Sequence, residues 1–374
     1  MSGSDRLIER VSRFVHEHFL GLLLATYAVA AVWPELGVAL RGVSLGRASL
    51  GAEGMAISLP ALMLGFLLLN AGLGVKAGEL RGLAGRPALI GAGLAANVLI
   101  PVGFVFVVSR GLQGWHNAGE VQMILVGLAM VATMPIAGSS TAWAQNADGD
   151  LALSLGLVVG STLISPVVTP LALHAIGFMA EGDSARDLHG LAAHGTGLFL
   201  VLCVVGPSLA GIGLRSILGE RRVARLRPGL KLANSANLLL LSYCNAAIAL
   251  PQAVARPDWD FLLAILAVTS ALCVLGFATG WGIGRAAGAP ASARVSLMYG
   301  LGMSNNGTGL VLASMVLGNR PGALLPIIFY NLVQQVVAGA VGDLESRRGR
   351  LAEARPAIDA PPPGGMVRIG EASP

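Results

Sequence analysis

The chain has 374 residues, of which 54% are hydrophobic and only 12% are charged, and its formal net charge is +5. Soluble domains carry charge on roughly a quarter of their residues, so this composition excludes an ordinary soluble protein and predicts an integral membrane protein. The positive charge does not indicate nucleic-acid binding, because the 25 Lys and Arg residues lie mostly in short stretches between apolar runs.

Ten apolar runs are each long enough to cross a membrane as a helix, which takes about 20 residues. They cover residues 14–32, 56–75, 87–109, 121–146, 151–175, 196–214, 233–254, 261–284, 296–318 and 322–342. The sequence therefore predicts an all-α integral membrane fold with ten transmembrane helices, a short N-terminal segment at 1–13 and a disordered tail at 343–374. The acidic segment 181–189 and the basic segment 215–231 are interpreted as connecting loops.

The distribution of positive charge predicts the orientation in the membrane. With the N-terminus in the cytoplasm, all but six of the Lys and Arg residues fall on the cytoplasmic side, as the positive-inside rule requires. The six exceptions are Arg41, Arg47, Arg110, Arg186, Arg256 and Arg320. We expect a multi-pass protein of a cell inner membrane or plasma membrane with both termini in the cytoplasm. Five spans in each half, 14–175 and 196–342, give the halves opposite orientations, which is an inverted repeat.

Two of the apolar runs are interrupted. Pro135 opens the segment MPIAGSST at 134–141, and a proline inside a helix removes a hydrogen bond and breaks the helix. In the second half, GLGMSNNGTG at 300–309 places four glycines and two asparagines inside the ninth run. Backbone groups freed within a membrane are tolerated only beside a cavity or inside protein. Two interrupted spans at matching places in the two halves therefore predict a transporter's binding site near the bilayer midplane.

The polar residues at the interruptions are neutral, and from Ala56 to Gly342 no Asp or Glu lies in the body of a predicted span. Neither an intramembrane enzyme nor a buried carboxylate proton relay has a candidate, so we expect no enzyme and no cofactor. The hydroxyl oxygens of Ser140, Thr141 and Ser154 suit a sodium ion, and amides at half-helix N-termini suit an anion. The alternative is that these side chains only bond to helix carbonyls and neighbouring helices.

Two stretches resemble the bile acid:sodium symporter family. The first, Met134–Pro170, has the opening proline, the step GDLALS from Gly149 to Ser154 and the closing SPVVTP from Ser165 to Pro170. The second, GMSNNGTGLVLA from Gly302 to Ala313, resembles the motif of the family's ninth helix. The resemblance implies a panel domain and a core domain in which two broken helices cross. It also implies sodium symport of an organic anion by alternating access.

By position, the resemblance assigns two sets of contacts in this sequence. Sodium contacts fall on Ser140, Thr141, Ser154, Asn97, Gly300, Leu301, Met303 and Ser304, and substrate contacts fall on Gly138, Ser139, Asn305, Asn306 and Gln334. Gly300 stands where the resemblance implies a glutamate of the sodium sites. A sodium-independent uniporter or exchanger of the same fold therefore remains an alternative hypothesis. A third hypothesis, from another class, is a membrane sensor that does not transport. The expected partners are a small organic anion, sodium and the lipid bilayer, with no nucleic acid and no other metal; the oligomeric state stays open.

Overall fold

The computed structural model describes residues 10–12, 14–15, 18–50, 53–75, 78, 86–317 and 320–354. Over these residues the chain is mostly helical, which confirms the predicted class of helical membrane protein. Apart from residues 10–12, the predicted N-terminal segment lies outside the described residues, and so does the predicted tail beyond residue 354.

The first half begins with α1 (Phe19–Val32) and α2 (Glu35–Arg41), which are bent by 94° relative to each other. An antiparallel hairpin of β1 (Ser44–Leu50) and β2 (Glu53–Ser58) follows, which the all-α prediction did not include. Glycines at 46, 51 and 54 disfavour helix here, and the hairpin contains no long apolar run that would reveal it in the sequence. The remaining helices are α3 (Leu59–Gly74), α4 (Pro87–Gly111), α5 (Ala118–Ala132), α6 (Ser139–Asn146) and α7 (Leu151–Gly177).

Seven α-helices follow α7 in the described part of the chain. They are α8 (Gly182–Ala193), α9 (Thr196–Leu200), α10 (Gly206–Ala255), α11 (Trp259–Ala286), α12 (Ala291–Gly302), α13 (Asn306–Val316) and α14 (Leu325–Ala354). The segments 181–189 and 215–231, interpreted above as loops, belong largely to α8 and α10, because Ala, Arg and Leu are good helix formers. Within α10, Gly219 has a φ of 75° that breaks the helical course. The helix α14 continues beyond residue 342, where the predicted transporter domain ends.

Five of the described helices are long and apolar enough to cross a membrane, or six if the bent pair α1 and α2 counts as one span. One of the five is the stretch Thr196–Ala255, which covers two predicted spans. The shorter apolar helices are α3, α5 and α13. The pairs α5 with α6 and α12 with α13 occupy the two runs that were predicted to be interrupted. These helices indicate a multi-pass membrane protein. The ten spans and the inverted repeat stay predictions.

The helices form two groups. In the first group α1, α2 and α3 pack against α10, and in the second α4 packs against α7 and α11 while α11 packs against α12 and α14. Small residues allow the closest approach in the first group: a Cβ atom at Gly72 would lie 2.1 Å from the Ser208 carbonyl oxygen, and one at Gly211 would lie 2.1 Å from that of Leu69. Membrane helices use small residues in this way to bring their backbones together. The helix α13 contacts α3 and α10, so the second interruption lies where the two groups meet.

Candidate functional site

The two interrupted segments cross and are hydrogen-bonded to each other. The Ala137 amide donates to the Met303 carbonyl at 2.9 Å, and the Asn305 amide donates to the Pro135 carbonyl at 2.9 Å. Ile136 and Ser304 thereby form an isolated antiparallel bridge. The interruptions lie about 170 residues apart in the sequence, and each thus satisfies some of the other's freed backbone N–H and C=O groups. We refer to residues 133–138 and 303–305 as the crossing.

Buried hydroxyls on α7 satisfy further groups at the first interruption. The Thr169 hydroxyl donates to the Thr133 carbonyl at 2.6 Å, and Ser161 Oγ accepts the Ile136 amide at 3.1 Å. Both side chains are buried. Neither residue was predicted to bond to the interruption, although a buried hydroxyl in the next span is the type of group that completes a broken membrane helix.

The second interruption is completed from α11 and α14. The Tyr330 hydroxyl donates to the Gly302 carbonyl at 3.2 Å, and Cys273 Sγ lies 3.6 Å from the same oxygen. The Ser304 amide donates to Gln334 Oε1 at 3.1 Å. A Cβ atom at Gly302 would lie 2.2 Å from the Phe277 ring, so only glycine fits beneath this aromatic side chain. The Gln334 assigned to substrate by resemblance therefore also holds the backbone of the crossing.

Six of the eight residues assigned to sodium fall in two places. Ser154 Oγ donates to Thr141 Oγ1 at 3.3 Å, and the neighbouring Ser140 is fully buried with no hydrogen-bond partner for its hydroxyl. Separately, Asn97 and Leu301 line one small cavity together with Ser304. The Met303 carbonyl is already bonded to Ala137, so it has one lone pair left to offer.

Gly300 faces an apolar environment. A Cβ atom built there would lie 3.0 Å from Leu157 Cδ1 and 4.0 Å from Ile136 Cδ1. Leu157 and Ile136 belong to a buried apolar cluster that also contains Leu153 and Leu297. The side of α12 on which the family's glutamate would stand is therefore closed by hydrocarbon in this protein.

The residues assigned to substrate lie at the start of the two downstream half-helices. Gly138 and Ser139 begin α6, where no side chain caps the helix and Ser139 is exposed. Asn305 caps α13 by accepting the Thr308 amide at 3.2 Å. Asn306 is 2% exposed, and neither atom of its amide has a hydrogen-bond partner. The Thr308 hydroxyl is likewise buried without a partner.

A chain of side chains connects the crossing to the first helix group. Gln334 Nε2 donates to Asn331 Oδ1 at 3.3 Å, and Asn331 Nδ2 donates to the Tyr27 hydroxyl oxygen at 2.9 Å. Tyr27 lies on α1, while the other two residues lie on α14. Neither Tyr27 nor Asn331 was predicted. The sequence feature that could have identified Asn331 is its spacing from Gln334, because residues three apart lie on one face of a helix.

The electrostatics of the crossing come from helix ends rather than from charged side chains. The helices α6 and α13 begin there, and α5 and α12 end there. Each beginning carries partial positive charge and each end partial negative charge. No Asp or Glu belongs to the crossing; Asp150, for example, caps α7 and pairs with Arg86 at 2.9 Å. The crossing can therefore receive an anion at two helix N-termini without a neighbouring carboxylate.

Comparison with known proteins gives two matches. The profile of the Sodium Bile acid symporter family (SBF) matches residues 61–256, which include the first interruption. The chain is also 26% identical, over 249 residues, to the uncharacterized protein YbaS of Bacillus subtilis strain 168. That alignment covers 65% of this chain and 77% of YbaS.

Proposed function

The chain belongs to the Sodium Bile acid symporter family, as its motifs predicted, and from that premise we propose that it carries an organic anion across the membrane by alternating access. The observation that carries the proposal is the crossing, where two broken helices exchange the hydrogen bonds of Ala137 with Met303 and of Asn305 with Pro135. Broken helices that meet inside a membrane bundle are how many secondary transporters bind a polar solute.

The character of the site favours an anion as substrate. The beginnings of α6 and α13 present amides and positive dipole ends at the crossing. Asn306 adds two unpartnered amide atoms and Thr308 an unpartnered hydroxyl, and all are buried. A buried amide without a partner costs roughly 1–3 kcal/mol. A substrate that pairs with Asn306 recovers this free energy on binding.

The variant Asn306→Ala tests substrate binding. It removes an unpaired buried amide, so we expect the free protein to unfold at the same or a higher temperature. The affinity for substrate should fall by about tenfold, as for one lost hydrogen-bond pair, which reduces both the substrate-induced rise in Tm and uptake into proteoliposomes. A bile acid and a small monocarboxylate serve as probes. Ser314→Ala on the same helix is the matched control, since that hydroxyl only donates to the Val311 carbonyl. Unchanged uptake in Asn306→Ala would contradict the proposed site.

Two hypotheses on coupling remain, and each has a supporting observation. Sodium symport is supported by the hydroxyls of Ser140, Thr141 and Ser154, of which the first is buried without a partner. Sodium-independent transport is the second candidate, favoured by the apolar packing of Gly300 against Leu157. A cation site inside a membrane without a carboxylate lacks its countercharge.

Thermal stabilisation by sodium, against potassium at equal ionic strength, separates these hypotheses in the purified protein. The variants are Gly300→Glu and its uncharged control Gly300→Gln, which is nearly the same size. A sodium-specific rise of Tm in the wild type would support symport. No rise in the wild type, with a rise in Gly300→Glu but not in Gly300→Gln, would support the sodium-independent carrier.

A further inference from the structure

One cluster of metal-ligating side chains lies away from the crossing. His116 and Glu120 flank the start of α5, and Asp258 and Asp260 flank the start of α11. The two segments meet, with His116 Nε2 lying 3.2 Å from Asp260 Oδ2. The charge pattern of the sequence predicts that this end of the molecule faces outward. The proposed transport function uses none of these residues.

Glu120 is held in a defined position beneath His116. It is 3% exposed, its Oε2 accepts from Trp115 Nε1 at 2.7 Å, and its Oε1 accepts from Asn117 Nδ2 at 2.5 Å. A carboxylate oxygen has two lone pairs, so each oxygen keeps one for another partner. One ligand atom from each of His116, Glu120 and Asp260 lies within 4.8 Å of the other two.

Negative charge exceeds positive charge in this cluster. Three carboxylates, those of Glu120, Asp258 and Asp260, accompany the single imidazole of His116. In the part of the chain that the structure describes, no Lys or Arg forms an ion pair with Glu120, Asp258 or Asp260. A cation is the complementary partner for such a group.

We propose that His116, Glu120 and Asp260 bind a divalent transition-metal ion, with Zn²⁺ as the best fit. Zn²⁺ bonds to nitrogen and oxygen ligands at about 2.0–2.2 Å in a tetrahedron, which places neighbouring ligand atoms roughly 3.3 Å apart. The 3.2 Å between His116 and Asp260 matches this separation. The imidazole disfavours Ca²⁺ and Mg²⁺, which prefer oxygen ligands.

The surrounding groups complete the site. Trp115 and Asn117 hold the Glu120 carboxylate, as outer partners do in metal sites. The side chains of His116 and Asp260 are 63% and 52% exposed, so water can reach the fourth position. The bound ion fastens the start of α5, the helix that leads to the first interruption, to the start of α11. This connection lies outside the substrate site. Through it, a metal ion bound on the outer side of the membrane contacts two helices of the transporter, α5 and α11.

Calorimetric titration of the chelator-treated, full-length protein with ZnCl₂ tests the proposal. We expect one saturable site in the wild type and no comparable binding of CaCl₂ or MgCl₂. The variants His116→Ala and Asp260→Asn should each weaken Zn²⁺ binding by more than about tenfold, since even the loss of an outer partner has roughly that effect. Both side chains are largely exposed, so the metal-free variants should keep the wild-type Tm.

His174→Ala is the matched control, because His174 and His189 form a histidine pair outside the proposed site, with Nδ1 atoms 2.9 Å apart. Zn²⁺ binding that survives in His174→Ala but not in the other two variants supports the proposal. The proposal is overturned if the wild type shows no saturable binding, if binding persists in both His116→Ala and Asp260→Asn, or if only His174→Ala loses it. A second readout is tryptophan fluorescence: Zn²⁺ should change the emission of the wild type, and this change should be absent in His116→Ala.

Discussion

Ser161 is the hydrogen-bond partner of an amide that the first interruption frees, and the variant Ser161→Ala measures what that contact contributes. The Ile136 amide donates to Ser161 Oγ at 3.1 Å, and both residues are at least 97% buried. In the alanine variant the amide has no partner and no access to water. A buried donor left unsatisfied costs about 1–3 kcal/mol, so we expect the free energy of unfolding to fall by that amount.

The matched control lies on α13. Ser314 is equally buried, but its hydroxyl donates to the Val311 carbonyl within the helix, where the amide of Met315 is the regular partner of that carbonyl. Ser314→Ala therefore leaves no orphaned group, and its free energy of unfolding should fall by less than about 1 kcal/mol. Chemical unfolding in mixed micelles, followed by intrinsic fluorescence, gives both values. Equal losses in Ser161→Ala and Ser314→Ala would refute the assignment of Ser161 to the interruption.

Two further variants test the helix packing and the link between the helix groups. In Gly276→Ala the new Cβ would lie 2.4 Å from the Leu301 carbonyl oxygen, so the free energy of unfolding should fall by about 1–3 kcal/mol. Gly282→Ala is the control: it has open space at its Cβ and should unfold like the wild type. Tyr27→Phe removes the oxygen that accepts from Asn331 and should lower the unfolding free energy by about 1 kcal/mol in the same assay. An unaltered Tyr27→Phe, or equal effects of the two alanine variants, would contradict these contacts.

Local composition was enough to predict where the helices break. Pro135 removes a donor from its own helix, and the glycines and asparagines of 300–309 disfavour a continuous one, so both interruptions are visible in short windows of sequence. The family, which rests on the same windows, was predicted and is confirmed. The roles of Ser140 and Asn306 as ligands for sodium and substrate stay predictions, and their burial without partners is the reason to test them.

The partners that complete the interruptions could not be read from such windows. Ser161 follows Ile136 by 25 positions and Thr169 follows Thr133 by 36, and the fold alone brings them together. The hairpin at 44–58 was missed for a different reason, since membrane-span prediction looks only for long apolar runs. The basic segment 215–231 was interpreted as a loop because charge there marks topology, yet charge does not prevent helix formation, and α10 continues through it.

The crossing has a consequence for how the protein is made. The carbonyl of Pro135 leaves the ribosome roughly 10–30 s before the amide of Asn305, at a synthesis rate of about 5–20 residues per second. During that interval the first interruption lacks the second strand of its bridge, and hydrocarbon cannot replace it. The first half of the chain must therefore wait beside water or the insertion machinery, and integration into the lipid is complete only when both halves have been synthesised.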